Sequence, residues 1–449
     1  MRVLRVFALL LFAVHLALAD DPIAQSNALL SAAVQHQEAS SVTPKTLAEL
    51  QEMAMHSNTE IRIAVRRMSV AQARTPGAGS LDDPMFMYRD WGTPLQQPWN
   101  LNQAQNMFMV TQSLPGRGKR GLRTEVADQE VEAQHAQLEA VRRDVQLRVS
   151  RAFYELLLTK DQLRIHDAQG AIAKEALETA RIKYTTGRVP QQDVLKAQVA
   201  LTRLVEHLNM LAEDADTARA TLNSLVGRDP AEPIEVVGEY SLPASLPSLA
   251  ELEKTALSNR PELAAYSKLI EQSEAKTRLA QKGYTPDYTV SAGYMLMPTG
   301  STFRNTYMAE FSLNLPWLNR RKHDAEINEA KAFTLEQQAE YDNQRAMVVL
   351  QIQEALSKVR TTSRNLALYR DTLKPQAEAT LKATATAYKN DRTDFLNVLD
   401  SQNTTLEVES SYFKNAAEFE SRLADLEHAV GAPISRGEKA QDSTPKVQQ

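Results

Sequence analysis

The chain has 449 residues and a formal net charge of −5, with 43% hydrophobic and 24% charged residues. The mild negative charge argues against nucleic-acid binding, which usually shows a basic surface. No cysteine is present, so disulfide bonds and thiolate metal sites are excluded. Only 15 glycines occur in this length, which favours a mostly helical chain.

The first residues have the pattern of a secretory signal peptide. Arginines precede a short apolar run that ends in small residues at Ala17 and Ala19. Such a run is typical of a cleaved signal and is too short to span a membrane. We therefore predict a signal peptide over residues 1–19, a flexible segment over residues 20–44, and export from the cytoplasm.

The remaining sequence contains two copies of one plan. The segment TLAELQEMAMHSN from Thr46 matches SLAELEKTALSN from Ser248, and later Leu-Pro and Val-Gly pairs recur in the same order. These pairs are Leu114-Pro115 and Leu315-Pro316, then Val226-Gly227 and Val430-Gly431. A long period indicates duplication of a whole unit. The predicted organisation is a first repeat over residues 45–227, an inter-repeat linker in an equatorial region over 228–247, a second repeat over 248–431 and a disordered C-terminal tail over 432–449.

Each copy contains a helical segment of unusual length. Residues 124–184 contain no proline, and residues 324–388 contain only Pro375, which we expect to kink the helix. Apolar residues recur as narrow stripes on both segments: Val145, Val149, Ala152 and Leu156, and Val348, Ile352, Ala355 and Val359. Such stripes are typical of coiled-coil packing. Since each segment turns and returns through a second helical stretch, long antiparallel hairpins are predicted.

Four stretches between the helices are predicted to be strands: Met85–Trp91, Asn106–Leu114, Tyr288–Met297 and Thr306–Leu315. In the second copy, apolar and polar residues alternate over about ten residues, the length of a transmembrane strand. Taken singly, each pair also fits a soluble hairpin packed on a helix. Four strands cannot close a barrel, which needs about eight, so lipid-facing edges require other chains. The simplest count is twelve strands from three chains.

Four motifs carry a family resemblance: NRPEL from Asn259, QSLPGRGKR from Gln112, LNLPWLNRRK from Leu313 and AYKNDRTDFLNVLDSQ from Ala387. In this duplicated order, from about Thr46 to Ile434, the chain resembles the TolC-like outer-membrane efflux family. The resemblance implies a mostly α fold with a small β part, in which long helical hairpins form an α-barrel and four strands per chain join a trimeric twelve-stranded β-barrel. It also implies an outer-membrane duct that extends into the periplasm and docks onto a periplasmic adaptor protein and an inner-membrane efflux pump.

The resemblance further implies a gate at the periplasmic helix-hairpin turns. The residues that match it are Tyr388, Arg392, Asp394 and Asp400 in the second copy, and Tyr184, Arg188 and Asp193 in the first. One carboxylate per chain becomes a ring of like charges at a trimer axis, which attracts cations. The alternative is a set of solvated turn residues. Asn397 stands where a second aspartate often sits, which halves the predicted ring charge, and Asp391 replaces the glycine kept in the first copy as Gly187.

Methionines are unevenly placed, and seven of the 13 fall in the predicted strands. The candidates for the channel lumen are Met107, Met109, Met295, Met297 and Met308, and the same spacing recurs at Met85 and Met87. Thioethers are soft ligands suited to Cu(I) or Ag(I), and the alternative is flexible apolar filler in a barrel wall. Because the stretch MFMVTQSLPGRGKR resembles the heavy-metal branch of the family, metal cations are the expected cargo, ahead of drugs, other small molecules or secreted polypeptide.

The sequence shows no catalytic constellation. The glycines from Gly116 to Gly121 fit a dinucleotide-binding fingerprint, but the following helix is too long for that fold. The histidines show no metal-site spacing, so we expect no enzyme, no cofactor and no certain metal site. The alternative function is a secreted or periplasmic coiled-coil scaffold, which explains the helices and the signal but leaves the alternating strands without a purpose.

Overall fold

The computed structural model describes residues 43–92, 95–96, 99–100, 102–240, 246–303, 305–390 and 392–434. The predicted signal peptide lies outside these residues, as do nearly all of the predicted flexible segment and tail. Within them, no helix is both long enough and apolar enough to cross a membrane.

Each repeat consists of two short helices, two strands and a long helical hairpin. The first repeat contains α1 (Leu47–Ser57), α2 (Thr59–Ala78), β1 (Met85–Trp91), β2 (Gln105–Leu114), α3 (Lys119–Thr185) and α4 (Gln191–Leu225). The second contains α5 (Leu249–Asn259), α6 (Pro261–Gln281), β3 (Tyr288–Leu296), β4 (Asn305–Leu313), α7 (Arg320–Leu368), α8 (Lys374–Lys389) and α9 (Phe395–Val430). Short 3₁₀ turns follow α6 at Lys282–Tyr284 and precede α7 at Pro316–Asn319. The prediction of a mostly helical, internally duplicated chain with a small sheet is confirmed.

The first short helix of each repeat begins with the same reciprocal hydrogen bonds. Thr46 Oγ1 accepts from the Glu49 N–H, and the Glu49 carboxylate accepts from the Thr46 N–H at 3.0 Å. Ser248 and Glu251 form the same pair before α5. The bond from the Ser248 backbone, and then that from its hydroxyl, lowers the pKa of Glu251. These capping boxes satisfy N–H groups that have no partner inside a helix.

The long hairpins also end alike. Gly227 and Gly431 adopt left-handed φ angles of 73° and 72°. The Arg228 N–H reaches back to Asn223 O at 2.9 Å, and the Ala432 N–H reaches Glu427 O at 3.3 Å. Glycine at this position permits the left-handed turn that closes a helix end. The repeated Val-Gly pair of the sequence is therefore a repeated helix terminus.

Pro375 interrupts the second long helical segment, as predicted. A π-helical turn at Tyr369–Leu373 separates α7 from α8, and the Lys374 N–H bonds to Tyr369 O. Proline lacks an N–H and crowds the carbonyl four residues before it, so a wider turn relieves the crowding. The equivalent helix of the first repeat, α3, runs without interruption for 67 residues.

The four strands form one antiparallel sheet in the order β1-β2-β3-β4. The central pairing, β2 with β3, joins a strand of the first repeat to a strand of the second, with Met109 opposite Gly293. The observed strands agree with the predicted ones to within two residues at each end. The duplicated halves thus share a single sheet.

The chain divides into two compact units. One comprises the described parts of Met1–Thr59, Arg143–Ala256 and Gln351–Gln449, and the other comprises Glu60–Arg142 and Leu257–Leu350. The first unit holds both hairpin turns and the inter-repeat linker, and the second holds the sheet. Within the first unit, the predicted apolar stripes are buried, with Val145, Val149, Ile352 and Val359 fully inaccessible.

The linker packs within the first unit. Val236 pairs with Lys45 in a parallel bridge, and the Lys160 ammonium donates to Val236 O at 3.2 Å. The Tyr240 hydroxyl donates to the Asp161 carboxylate at 3.0 Å. Burial, and then the charge of Asp161, raises the pKa of Tyr240 far above its ordinary value, so this hydroxyl remains a donor at any physiological pH.

Candidate functional site

The turn of the first helical hairpin is closed by main-chain hydrogen bonds around Gly187. Gly187 has a left-handed φ of 70°. Its N–H bonds to Tyr184 O at 2.9 Å, and the Arg188 N–H bonds to Lys183 O at 2.8 Å. This pair of bonds is the Schellman arrangement that ends a helix. It leaves the side chains of Tyr184 and Arg188, two predicted gate residues, exposed.

The turn of the second hairpin has the equivalent of the bond between the Arg188 N–H and Lys183 O. The Arg392 N–H bonds to Ala387 O at 2.9 Å, with the same spacing as the Arg188 bond in the first turn. Asp391, at the place of Gly187, lies outside the described residues. The Arg392 side chain, a third predicted gate residue, is exposed.

The two return helices begin differently. Asp394 is the N-cap of α9, and its carboxylate accepts the Asn397 N–H at 3.1 Å. The Asn397 amide in turn donates to the Thr393 hydroxyl at 2.9 Å. By contrast, α4 begins after Pro190 without a side-chain cap. Asp394, which the resemblance assigns to the gate, thus also stabilises the start of a helix.

Tyr184 and Tyr388 occupy equivalent places in the two hairpins but have different surroundings. Tyr184 is 45% exposed, whereas Tyr388 is 7% exposed. The Lys183 ammonium lies 3.8 Å from the centroid of the Tyr388 ring and donates to Tyr388 O at 3.0 Å. A cation over an aromatic face is attracted by the ring's negative charge density. This contact joins the end of α3 to the end of α8.

Apolar side chains from both hairpins pack around Tyr388. The buried members of this cluster are Leu177, Ala197, Leu201, Val205, Leu208, Tyr388 and Val398. Val194 and Leu399 pack against it and are partly buried. Residues of both hairpins therefore form one hydrophobic cluster, which includes Tyr388 but not the equivalent Tyr184.

Three predicted gate residues near the turns have no charge partner among the residues that the structure describes. Asp400 and Arg392 are exposed and Asp193 is half-buried. Within the described part of the chain, none of these three side chains forms an ion pair. Asp400 lies on α9 between half-buried Leu399 and buried Ser401. The structure therefore brings Tyr388 together with Lys183, which sequence reasoning did not select, and leaves the predicted acids separate.

The two faces of the sheet differ in chemistry. One face carries large apolar side chains that are strongly exposed, among them Phe86 (69%), Tyr307 (87%) and Phe311 (62%). The other face carries methionine, threonine and serine together with one arginine, one tryptophan and one glutamate. Its residues Met109 and Ser291 are at most 6% exposed. The alternation predicted from the sequence thus separates an aromatic face from a thioether-bearing face.

Two successive cross-strand rows on the second face hold five methionines. The first row is Met87–Met109–Gly293–Met308, and the second is Arg89–Met107–Met295–Thr306. Residues directly opposite each other in an antiparallel pair have side chains on the same face. We call the five residues Met87, Met107, Met109, Met295 and Met308 the methionine face.

Met297, which was selected from the sequence, does not belong to the methionine face, whereas Met87, which was not selected, does. Met297 follows the last residue of β3 and lines a cavity with Tyr88, Phe108 and Tyr294 of the aromatic face. Met87 joins the methionine face because β1 pairs with β2 in a register that sets it opposite Met109. The repeated Met-x-Met spacing was the available signal for Met87, but the register that uses it is a tertiary property.

The glycine-rich segment after β2 forms a strand-to-helix turn around a carboxylate. The Gly116 N–H donates to Asp287 Oδ1 at 2.7 Å, and the Lys119 ammonium donates to both Asp287 oxygens at 2.8 and 2.9 Å. Burial opposes ionisation of Asp287, but the hydrogen bonds from Lys119 and Gly116 outweigh it and lower the pKa of Asp287. Two donors of this glycine-rich segment, the Gly116 N–H and the Lys119 ammonium, are therefore occupied by the chain's own carboxylate.

Two histidines of the first hairpin lie against each other. The rings of His166 and His207 are 5.2 Å apart between centroids. Burial, and then the neighbouring His207, lowers the pKa of His166. Two imidazoles alone do not make a metal centre. Across the described residues, no group of three or more histidine, aspartate or glutamate side chains is arranged to hold a metal ion.

Comparison with known sequences identifies one family. The model of the family described as outer membrane efflux protein matches residues 57–228 and 252–432, which covers both repeats. Among curated proteins, the cobalt-zinc-cadmium resistance protein CzcC of Cupriavidus metallidurans is 23% identical over 295 residues, which is 66% of this chain and 69% of that protein.

Comparison with solved structures shows the same fold. The transmembrane channel protein CusC superposes with a TM-score of 0.74 at 15% identity, over 87% of this chain and 93% of that chain. The outer membrane channel CmeC of Campylobacter jejuni superposes with a TM-score of 0.73 at 14% identity, over 88% of this chain and 87% of that chain. Helical hairpins and a four-stranded sheet in this order are thus a known architecture.

Proposed function

Because the chain belongs to the outer membrane efflux protein family, we propose that it is the exit duct of a tripartite efflux system with metal cations as its cargo. As a member of this family it is an outer-membrane channel that extends into the periplasm. The family is one of passive channels and not of enzymes. The observation that carries the proposal is the match of both repeats, together with a sheet whose exposed face is aromatic.

Open sheet edges support a homotrimer. Within the described residues, neither β1 nor β4 pairs with a further strand on its outer side. Edge N–H and C=O groups need partners in lipid, and closure needs about eight strands or more. Three chains of four strands meet both requirements. The exposed side chains of Phe86, Tyr307 and Phe311 suit the lipid side, and this supports our proposal that the methionine face lines the lumen.

The cargo proposal rests on the curated relative and on the chemistry of the channel. CzcC is named for resistance to cobalt, zinc and cadmium. Our chain carries exposed Asp400 near its second hairpin turn, and a trimer would repeat that charge three times around the axis. A ring of carboxylates lowers the energy of cations at a pore entrance and excludes anions. Neutral drugs gain nothing from such a ring.

We propose that the hairpin turns form the periplasmic gate. Opening requires the two hairpins to move apart, and the contact of Lys183 with Tyr388 opposes that movement. Tyr184, Arg188, Asp193, Arg392, Asp394 and Asp400 complete the proposed gate. Of these, Asp400 is our choice for the charge that cations meet, because it is exposed and is not used to cap a helix.

The proposed partners are a periplasmic adaptor protein and an inner-membrane pump. Near the turns, the apolar side chains of Ile182, Leu195 and Val199 are 64%, 52% and 53% exposed. Exposed aliphatic side chains on long helices suit helix-in-groove contacts with other helices. An adaptor with a helical hairpin would cover these side chains, and the pump would deliver cargo through it.

Gene deletion tests the channel and its cargo separately. We expect the deletion strain to lose tolerance of one or more metals among cobalt, zinc, cadmium, copper and silver, and the wild-type gene to restore it. The protein should be recovered in the outer-membrane fraction and should require detergent for extraction. Equal tolerance of every metal would contradict the cargo, and recovery in the soluble periplasmic fraction would contradict the channel and revive the scaffold alternative.

A further inference from the structure

We propose that the methionine face is a binding site for the soft monovalent cations Cu(I) and Ag(I), formed by thioethers from three neighbouring strands and supplemented by Met308 on the fourth. The site deepens the proposed function, because its place in the lumen rests on the channel being assembled as described above. Its chemistry depends only on the sheet itself.

The density of thioethers is the first argument. Five of the eight positions in the two cross-strand rows are methionine, although the whole chain has only 13 methionines in 449 residues. Apolar filler does not require this concentration, since the aromatic face of the same strands uses phenylalanine, tyrosine and valine. Methionine is therefore concentrated in two adjacent cross-strand rows on one face of the sheet.

The register brings the sulphur atoms within reach of one ion. Met87 is directly opposite Met109, and Met107 is directly opposite Met295. Directly opposed residues have Cβ atoms about 4.5–5.5 Å apart, and methionine has three rotatable bonds beyond its backbone. Two pairs in adjacent rows are separated by about 6.6 Å along a strand. The two pairs can thus contribute two, three or four thioethers to a common site.

Gly293 places no side chain between two of the methionines. It lies between Met109 and Met308 in the first row. A Cβ atom added at Gly293 would lie 3.4 Å from the Met109 Cβ and only 2.8 Å from Phe108 O. Because no side chain fills the position, thioethers from Met109 and Met308 can both lean over it.

Two of the sulphur atoms already accept polar hydrogens. The Gln105 amide donates to Met295 Sδ at 2.7 Å, and an Arg89 nitrogen donates to Met87 Sδ at 3.5 Å. These contacts show that the lone pairs are accessible to a positively polarised partner. The Arg89 guanidinium has to move away from the Met87 sulphur when a cation binds there. Arg89 therefore weakens cation binding, and substitution of Arg89 is a way to change the affinity.

Ligand softness selects the metal. Thioether sulphur prefers Cu(I) and Ag(I), whereas zinc and cobalt prefer imidazole, thiolate or carboxylate ligands. The chain has no cysteine, so methionine is its only source of sulphur. A conducting channel requires sites that bind an ion weakly enough to release it, and neutral thioethers carry no charge to hold the ion. The site therefore favours monovalent soft ions over the divalent ions in the name of the curated relative.

Silver titration of the purified full-length protein in detergent tests the site. The probe is silver nitrate in chloride-free buffer, followed by calorimetry. We expect saturable binding, and we expect Met107→Leu/Met295→Leu and Met87→Leu/Met109→Leu to weaken it about tenfold or more each. Leucine keeps the apolar volume and removes the sulphur. The matched control is Met210→Leu/Met347→Leu, which removes two half-exposed helical methionines and should leave the isotherm unchanged.

A second measurement follows the methionines directly in the wild-type protein, so it does not depend on whether the methionine variants fold. In protein labelled at the methionine methyl carbons, silver should move the resonances of the methionine face and leave those of Met210 and Met347 in place. Arg89→Gln should tighten silver binding several-fold, because it removes a cation from Met87. Zinc nitrate should move none of these resonances.

The outcomes separate this site from the proposed function. No silver binding, or equal binding by all variants, would overturn the methionine site while the outer-membrane channel stands. Movement of every methionine resonance alike would also overturn it, since that indicates non-specific binding. Recovery of the protein outside the outer membrane would overturn the proposed function and leave the silver isotherm to be explained by the isolated sheet.

Discussion

The two hairpin turns have the same backbone hydrogen bond but different side-chain contacts. Both long helices end with a hydrogen bond that spans five residues, from Arg188 to Lys183 and from Arg392 to Ala387. The tyrosine before each turn has the same spacing, yet Tyr388 is buried and Tyr184 is exposed. The return helix of the second hairpin has a carboxylate cap at Asp394, whereas that of the first has none.

This difference shows what duplication preserves. Helix ends depend on local backbone geometry, so a copied segment keeps them. Contacts between the two copies are not local, so the two turns need not have the same surroundings. Here Tyr388 of the second copy contacts Lys183 of the first, whereas Tyr184 is exposed. Lys183 has no equivalent in the second copy, where Ala387 occupies its place before the tyrosine. The polar contact between the two turns therefore pairs a lysine of the first copy with a tyrosine of the second.

The largest expected effect comes from truncating the buried tyrosine. Tyr388→Ala removes an aromatic ring from the cluster of both hairpins, which should cost about 3–5 kcal/mol. The same change at the exposed Tyr184 should cost no more than about 0.5 kcal/mol. We expect a lower melting temperature of the purified protein in detergent and a higher single-channel conductance for Tyr388→Ala alone.

A conservative variant separates packing from the hydroxyl. Tyr388→Phe keeps the ring and should restore most of the melting temperature. Equal effects of the two alanine variants would show that the hairpins do not differ as the burial of their tyrosines indicates, and unchanged conductance in both would remove Tyr388 from the gate.

The second effect concerns the lysine that joins the hairpins. Lys183→Met keeps the aliphatic stem but removes the charge over the Tyr388 ring, so we expect a loss of about 0.5–2 kcal/mol. Lys389→Met is the matched control, because Lys389 also lies in the last turn of its helix but is exposed. A double-mutant cycle with Tyr388→Ala isolates the pair. Additive effects on the melting temperature would show that the Lys183 ammonium gains nothing from the Tyr388 ring, because the hydrogen bond to the backbone carbonyl is kept in Tyr388→Ala.

Much of the fold follows from the sequence because its determinants are local. The long helices follow from absent proline and regular apolar spacing, and the break near Pro375 follows from a missing N–H. The capping boxes at Thr46 and Ser248 are readable as a hydroxyl residue followed three positions later by glutamate. Strand positions follow from period-two alternation. Each of these signals lies within a few residues of the feature that it specifies.

The candidate site was harder to predict from the sequence, because it depends on contacts between residues that are far apart in the chain. Nothing near Lys183 indicates that its ammonium meets a ring 205 residues away along the chain. The resemblance likewise placed Asp394 and Asp400 together in the gate, whereas in the structure Asp394 caps α9 and Asp400 lies within that helix. The methionine face needed the register of three strand pairs, which no local pattern contains. Met87 therefore entered it, while Met297 came to lie beside the aromatic face.

The smallest effects on stability distinguish a structural aspartate from a conducting one. Asp394→Ala removes the N-cap of α9 and should cost about 1 kcal/mol, and Asp394→Asn should restore it, because asparagine caps as well as aspartate. Asp400→Asn should change stability by less than about 0.5 kcal/mol. It should nevertheless lower the preference for cations, measured as a reversal potential across a salt gradient in planar bilayers, because the charge lost is exposed. If Asp394→Asn shifted the reversal potential as far as Asp400→Asn, the carboxylate that caps α9 would also face permeating ions, and the two roles would have to be combined in one residue.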